Sequence, residues 1–246
     1  MNIAVDEHAI DARRFKDALL WQRRTGMKGG IYHLTQIQMA YNSNRIEGSE
    51  LTEEQTRHLF DTRTVDGPAP LDDVIEASNH FIAFNQMLDN VGQPLTAEMI
   101  KAYHATLKTG TADAQQPRFA VGEWKRLANQ VGDTETSAPE AVADDMAKLL
   151  AGTPPHMSFE DVCDFHHRFE VIHPFQDGNG RVGRLVLFQQ CLENDLLPVV
   201  VLDRDKLFYY QGLAKYDTEP GFLRETFRHF QDEYRRKYTN FVPAAG

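Results

Sequence analysis

Twelve consecutive residues, His173-Pro174-Phe175-Gln176-Asp177-Gly178-Asn179-Gly180-Arg181-Val182-Gly183-Arg184, concentrate the chemistry of this chain. They hold an imidazole, a carboxylate, two amides, two guanidiniums and three glycines, two of them closely spaced, at the junction of a helical pattern ending at Ile172 and an apolar helix running from Arg181 to about Asn194. Gly178 and Gly180 allow a positive φ or a close backbone approach. The unpaired N–H groups of a helix start form an anion site. Arg181 and Arg184, spaced i and i+3, project from one side of the first turn. Two cations oppose the helix dipole there unless an anion neutralises them. Asp177 is a hard oxygen ligand suited to Mg²⁺ on a phosphate chain. His173, with an ordinary pKa of about 6.5, is mostly neutral at physiological pH and able to act as a base. Gly-Asn-Gly-Arg by itself is compatible with a surface turn. The combination of base, carboxylate, glycines and paired arginines points to a polyphosphate cradle with a base at its lip.

The elements that must position this stretch read as helices. Amphipathic periodicity predicts helices over residues 6–24 (Ala9, Ile10, Phe15, Leu19, Leu20), 31–47 (Ile31, Leu34, Ile37, Tyr41) and 71–89 (Val74, Ile75, Phe81, Ile82, Leu88). Met39 and Ile46 lie off the 31–47 stripe, so that helix is expected to be buried on more than one side, with Gly48 at its C′ position. Thr52 and Gln55 have capping-box spacing, as do Ser137 and Glu140 ahead of a helix to Ala151. Thr96 is expected to cap a helix to Lys108, Ser158 the helix leading to His173, and Asp203 a helix holding Phe208, Tyr209, Tyr210 and Leu213. Pro220 suits position N1 of a last helix over 220–238, and Asn240 to Gly246 reads as a frayed tail. Residues 117–138, with Gly132-Asp133 as turn chemistry, are the best strand-pair candidate. The histidines at 80, 104, 166 and 167 read as structural. The fold class expected is all-α with a short β-hairpin.

His-Pro-Phe-x-Asp-Gly-Asn-Gly-Arg-x-x-Arg, flanked by Phe169-Glu170-Val171-Ile172 and Leu185-Val186-Leu187, resembles the complete signature of the Fic family. The resemblance extends from about residue 31 to 216. It implies a mainly helical Fic unit over 1–246, with N-terminal helices in 1–90, a core in 91–225 and a C-terminal end in 226–246. It implies transfer of AMP from ATP to a Tyr, Ser or Thr hydroxyl of a target protein. His173 would be the base, Asp177 the Mg²⁺ ligand, and Gly178, Asn179, Gly180, Arg181 and Arg184 the phosphate contacts. Asn179 would orient the α-phosphate and Arg184 pair with the γ-phosphate. Ser43-Asn44-Arg45-Ile46-Glu47-Gly48 resembles the family's inhibitory helix, in which Glu47 pairs with Arg184. Glu47, in a last helical turn where a carboxylate opposes the dipole, would need such a partner. The resemblance also implies a target-binding flap including Gly122, Trp124 and Lys125, and adenine-side positions at Tyr209 and Tyr210. The alternatives are Glu47-dependent removal of AMP from a target, or a nucleotide sensor without transferase activity. An intact His173 argues against the sensor.

A net charge of −10 and a pI near 5.4 argue against non-specific nucleic-acid or anionic-membrane binding. Cys163 and Cys191 fall on apolar patterns and form no disulfide framework or zinc motif. No apolar run approaches a membrane span, and the first residues lack a leader pattern, so a cytoplasmic location is expected. A homo-oligomer is left open.

Overall fold

The computed structural model describes residues 7–131 and 134–242. The expected Gly132-Asp133 turn, the Ala9 and Ile10 side chains, and the tail beyond Val242 lie outside what is described. Ten helices carry the fold among the described residues: α1 (Glu7–Thr25), α2 (Ile31–Ile46), α3 (Glu53–Thr62), α4 (Leu71–Asn90), α5 (Ala97–Lys108), α6 (Val142–Ala151), α7 (Phe159–Ile172), α8 (Asn179–Glu193), α9 (Lys206–Lys215) and α10 (Pro220–Tyr238). None is long and apolar enough to cross a membrane.

Helix α8 is the axis. Every residue from Asn179 to Leu192 is buried, so it has no solvent face, and α1, α2, α4, α5 and α7 pack around it. Val182, Leu185, Val186, Leu187, Phe188 and Leu192 supply its apolar contacts, while Asn179, Arg181, Arg184, Gln189 and Gln190 are buried polar residues on the same helix. The neighbours of the apolar set include Phe84 of α4, whose ring meets Phe188 edge-on at 5.2 Å. Helix α2 is the other deeply buried element, with Ile31, Ile37, Met39, Ala40 and Ile46 buried on several faces, as its split apolar pattern predicts. A smaller cluster of Ala40, Leu51, Leu59, Ala77 and Phe81 seats α3 against α2 and α4.

The helix ends that aim the site are fixed by local chemistry. Ser158 caps α7 in a capping box with Asp161, the hydroxyl accepting from Asp161 N at 3.1 Å and the carboxylate accepting from Ser158 N at 2.8 Å. Thr52 and Gln55 do the same for α3. Helix α2 closes with a Schellman motif: Ser49 N donates to Asn44 O at 3.0 Å and Gly48 N to Arg45 O at 3.1 Å. Gly48 takes φ +100°, a conformation that glycine adopts without strain. This turn fixes Glu47 as the C-cap residue.

Several expectations differ from what is observed. Ser137 does not cap α6; its hydroxyl donates to Asp145 Oδ2 at 2.8 Å, and α6 starts after Ala141 without a side-chain cap. Asp203 opens a 3₁₀ turn (Asp203–Asp205) rather than capping α9, because its carboxylate pairs with Lys206 at 2.9 Å. The strand pair is only β1 (Gln130–Val131) with β2 (Thr134–Glu135), antiparallel, with Gln130 opposite Glu135. The other described residues of 117–138 form no regular element, and Lys125, Leu127 and Asn129 bond to the motif loop. Thr239–Phe241 is a 3₁₀ turn rather than a frayed end, held where Phe241 O accepts from Gln22 Nε2 at 3.3 Å.

Loss of an N-cap hydroxyl typically costs about 1 kcal/mol. Ser158→Ala is expected to lower the unfolding free energy by that amount, read in equilibrium urea unfolding as a lower midpoint with an unchanged m-value.

Candidate active site

Helix α7 delivers His173 to the motif loop. The residue is the helix C-cap and has a left-handed backbone, φ 50°, uncommon outside glycine and asparagine. Its Nδ1 lies 3.3 Å from the Glu170 carbonyl. A carbonyl only accepts, so Nδ1 carries the proton and Nε2 keeps its lone pair. Burial, assisted by the nearby Lys125 cation, lowers the His173 pKa below its ordinary value, which keeps the ring neutral.

Phe175 anchors the loop. It is fully buried, and His104 of α5 stacks on it with ring centroids 4.0 Å apart and planes 5° from parallel. Trp124 meets its other surroundings at 5.2 Å. The Asn179 amide clamps Phe175 from both sides: Oδ1 accepts from Phe175 N at 2.7 Å, and Nδ2 donates to Phe175 O at 2.8 Å. The amide expected to face a phosphate is therefore engaged by the loop backbone, and its role here is to hold the loop's shape.

Gly178, φ 77°, is the N-cap of α8, and no side chain caps that helix start. The backbone N–H groups of its first turn therefore have no capping side chain. Arg181 and Arg184 rise from this turn, and both are buried. The Arg184 Nε donates to Ser43 Oγ at 2.9 Å, and its Nη2 donates to Ser43 O at 3.0 Å and to Glu47 Oε1 at 2.6 Å. The pairing of Ser43 and Glu47 with Arg184, expected from sequence, is thus present. Gly180 makes room for it, since a Cβ there would overlap the Glu47 carboxylate. Arg181 pairs with Glu76 of α4 and, at 3.0 Å, with Asp177 Oδ2. Asp177 also accepts from Lys108 Nζ at 2.7 Å. Although burial raises its pKa, Arg181 and Lys108 outweigh that and hold the carboxyl down at about 2.

The remaining expected residues separate. Tyr209 is a core residue, buried with its hydroxyl 2.9 Å from His166 Nε2, and presents no ring face to a ligand. Tyr210 is 40% exposed and donates to Ile46 O at 3.4 Å, beside the end of α2. Gly122, Trp124 and Lys125 turn towards the motif: Gly122 N donates to His104 Nδ1 at 2.9 Å, Lys125 N to Pro174 O at 2.8 Å, and Lys125 Nζ to Ile172 O at 3.3 Å. Expected to form a flap that receives a target, they brace the motif loop in this structure. Burial brings the Lys125 pKa down to about 8.

Glu76 and Lys108 were missed, while His80 and His104, read as structural, are buried and His104 packs on Phe175. Glu76 and His80 on α4, and His104 and Lys108 on α5, are two i, i+4 pairs, each presenting polar groups from one helical face to the motif. The available signal was that spacing, a polar pair breaking an apolar stripe. His80 is buried with neither ring nitrogen hydrogen-bonded, and burial together with Arg184 and Arg181 pushes its pKa to about 3. Glu170 is buried over Gly183, and burial raises its carboxyl to about 7.

Residues 94–191 match the Fic/DOC family model. A protein adenylyltransferase Fic of Nematostella vectensis is 28% identical over 185 residues, covering 72% of this chain and 42% of that protein. A probable protein adenylyltransferase of Aquifex aeolicus is 60% identical over 42 residues, 17% of this chain and 13% of the relative. In fold, the chain is similar to a Fic domain containing signaling protein from Bacteroides thetaiotaomicron, with TM-score 0.71 and 22% identity over 93% of this chain and 95% of that one. A Fic family protein from Desulfovibrio desulfuricans gives the same TM-score and identity, over 98% of this chain and 77% of that one. The likeness to the Fic/DOC family thus covers residues 94–191, and the helical architecture as a whole is similar to that of these solved Fic proteins. The chain spans about two fifths of the length of the Nematostella relative, 42%.

Histidines 80, 104 and 166 have pKa values lowered from 6.5 to about 3, 4 and 3. Each contributes stability that is full above the unfolded value and is lost as pH falls through the folded one. Glu170, raised from 4.5 to about 7, acts in the opposite sense between those values, one group against three. The urea midpoint is therefore expected to fall steadily as pH is lowered from about 6.5 towards 4.

Proposed function

We propose that this protein is a protein adenylyltransferase that moves AMP from ATP to a hydroxyl of a target protein and is held back by Glu47. The observation that carries this reading is the Nδ1-protonated His173 beside an uncapped helix start bearing two buried arginines. The relatives named as adenylyltransferases support it.

ATP would lie with its phosphates against the first turn of α8, where the N–H groups from Gly178 onward and Arg181 meet negative charge. Arg184 offers a bidentate guanidinium to the γ-phosphate. His173 Nε2 accepts the proton of the target hydroxyl as that oxygen bonds to the α-phosphorus. The bond from the α-phosphorus to the α,β-bridging oxygen breaks, and pyrophosphate leaves. A positioned base contributes roughly 10²–10⁴-fold, so alignment and charge stabilisation supply the rest. Asp177 suits a Mg²⁺ ion: its carboxylate stays ionised, its side chain is 40% exposed, and Mg²⁺ on a nucleotide needs only one or two protein carboxylates. When bound, that ion would neutralise phosphate charge. A target segment would add to the edge of β1–β2, where backbone pairing makes little sequence demand.

Arg184 cannot serve Glu47 and a γ-phosphate together. While Glu47 holds it, a bound nucleotide lacks that contact and its α-phosphorus is misaligned. Replacing Glu47 with glycine is expected to raise transfer without new contacts being made. Unchanged activity would remove the inhibitory role.

The decisive test is intact-protein mass spectrometry after incubation with ATP and Mg²⁺, using self-modification as readout. Glu47→Gly is expected to gain AMP. Glu47→Gly/His173→Ala is expected to gain none while binding ATP with an affinity within about threefold, because a base acts on the transition state rather than on nucleotide binding. AMP gain at the same rate in both variants would overturn the assignment of the base.

A further inference from the structure

Lys108 is a buried cation that the transfer reaction, as derived above, does not use. It is the last residue of α5, 2% exposed, and its Nζ lies 2.7 Å from Glu76 Oε1, 2.7 Å from Asp177 Oδ2 and 3.1 Å from Asp113 Oδ2. Three carboxylates from three separate segments therefore converge on one ammonium. Glu76 extends the arrangement, because its other oxygen pairs with Arg181, which returns to Asp177 Oδ2. The result is a closed ring of alternating charge, Glu76–Lys108–Asp177–Arg181. Both cations of the ring meet the same oxygen of Asp177.

Without the ammonium, three carboxylate oxygens would face one point with only Arg181 beside them. Such a point attracts a divalent cation, because hard cations gather carboxylates at short range. With the ammonium there, the position is filled by a charge that cannot diffuse away. Among the described residues no group of three or more His, Cys, Asp and Glu side chains is arranged to hold a metal.

We infer that Lys108 is a tethered stand-in cation: it occupies the meeting point of Glu76, Asp113 and Asp177, excludes free divalent ions, and fixes Asp177 by one oxygen so that the divalent ion enters only with the nucleotide's phosphates. The inference rests on the reading of Asp177 as the cation ligand. It makes Lys108 and Glu76 positioning residues that act through Asp177, and it makes cation binding conditional on nucleotide.

Mn²⁺ binding followed by electron paramagnetic resonance tests this without any turnover. The wild-type protein is expected to bind Mn²⁺ in the presence of ATP, more tightly than ATP alone does, and not without it. Lys108→Met is expected to bind Mn²⁺ with no nucleotide present, at least about tenfold more tightly than the wild type, because loss of one adjacent charge at a partly buried site is worth more than that. Adding Asp113→Asn to Lys108→Met is expected to reverse the gain, which assigns it to this cluster. Lys108→Gln, which keeps a hydrogen-bonding side chain, serves as the second neutral variant should Lys108→Met fail to fold by circular dichroism. If the protein with ATP holds Mn²⁺ no better than ATP alone, the reading of Asp177 fails and takes this inference with it. If it does hold Mn²⁺, but the neutral variants bind nucleotide-free Mn²⁺ no better than the wild type, the stand-in role alone is overturned.

Discussion

Two guanidiniums sit out of water at the end of a helix whose dipole already points positive charge at them. Burying one ion costs several kcal/mol unless partners surround it, and stripping a partner from a buried pair typically costs about 3–5 kcal/mol. Arg181 and Arg184 therefore demand anions in every state of the molecule. In this structure Glu76 and Asp177 answer Arg181, and Glu47 with the Ser43 carbonyl and hydroxyl answers Arg184. The placement of α2 and α4 against α8 follows from that demand as much as from apolar packing. In the proposed reaction a nucleotide would enter by exchanging one set of negative charges for another.

The rest of the site is arranged to keep that exchange local. Phe175, pinned by the Asn179 amide and stacked on His104, holds the loop between α7 and α8 in one shape. Lys125 ties the segment before β1 to Pro174 and Ile172. The Schellman turn at Gly48 sets where the Glu47 carboxylate stands. Each of these contacts fixes backbone rather than touching a reacting atom, and together they leave the motif with few ways to relax when its ion pairs change.

The contiguous part of this arrangement was legible in the sequence, because residues within twelve positions of one another on a turn and a helix must be neighbours. The pairing of Glu47 with Arg184 was legible only through the resemblance, since residues 137 positions apart carry no local sign of contact. Glu76 and Lys108 were missed for the same reason: their partners lie on other elements, and polar residues on amphipathic helices are ordinarily solvated. Asn179 and Tyr209 are engaged inside the protein. Their chemistry suits a nucleotide, but an amide beside a tight loop meets backbone first, and a tyrosine facing His166 is buried before a ligand can reach it. The predicted cap at Ser137 failed because a nearer carboxylate, Asp145, took the hydroxyl.

Glu47 and Arg184 belong to the same chain, and that has a consequence for how the site behaves at different protein levels. A pairing carboxylate supplied by a separate subunit would leave on dilution, and its hold would follow the abundance of that subunit. A carboxylate carried on α2 is always present at the effective concentration set by the fold, so scarcity of the protein does not loosen it. Only something that binds the state with Glu47 displaced more tightly than the state with Glu47 docked can shift the balance, and the shift can be no larger than that difference in affinity.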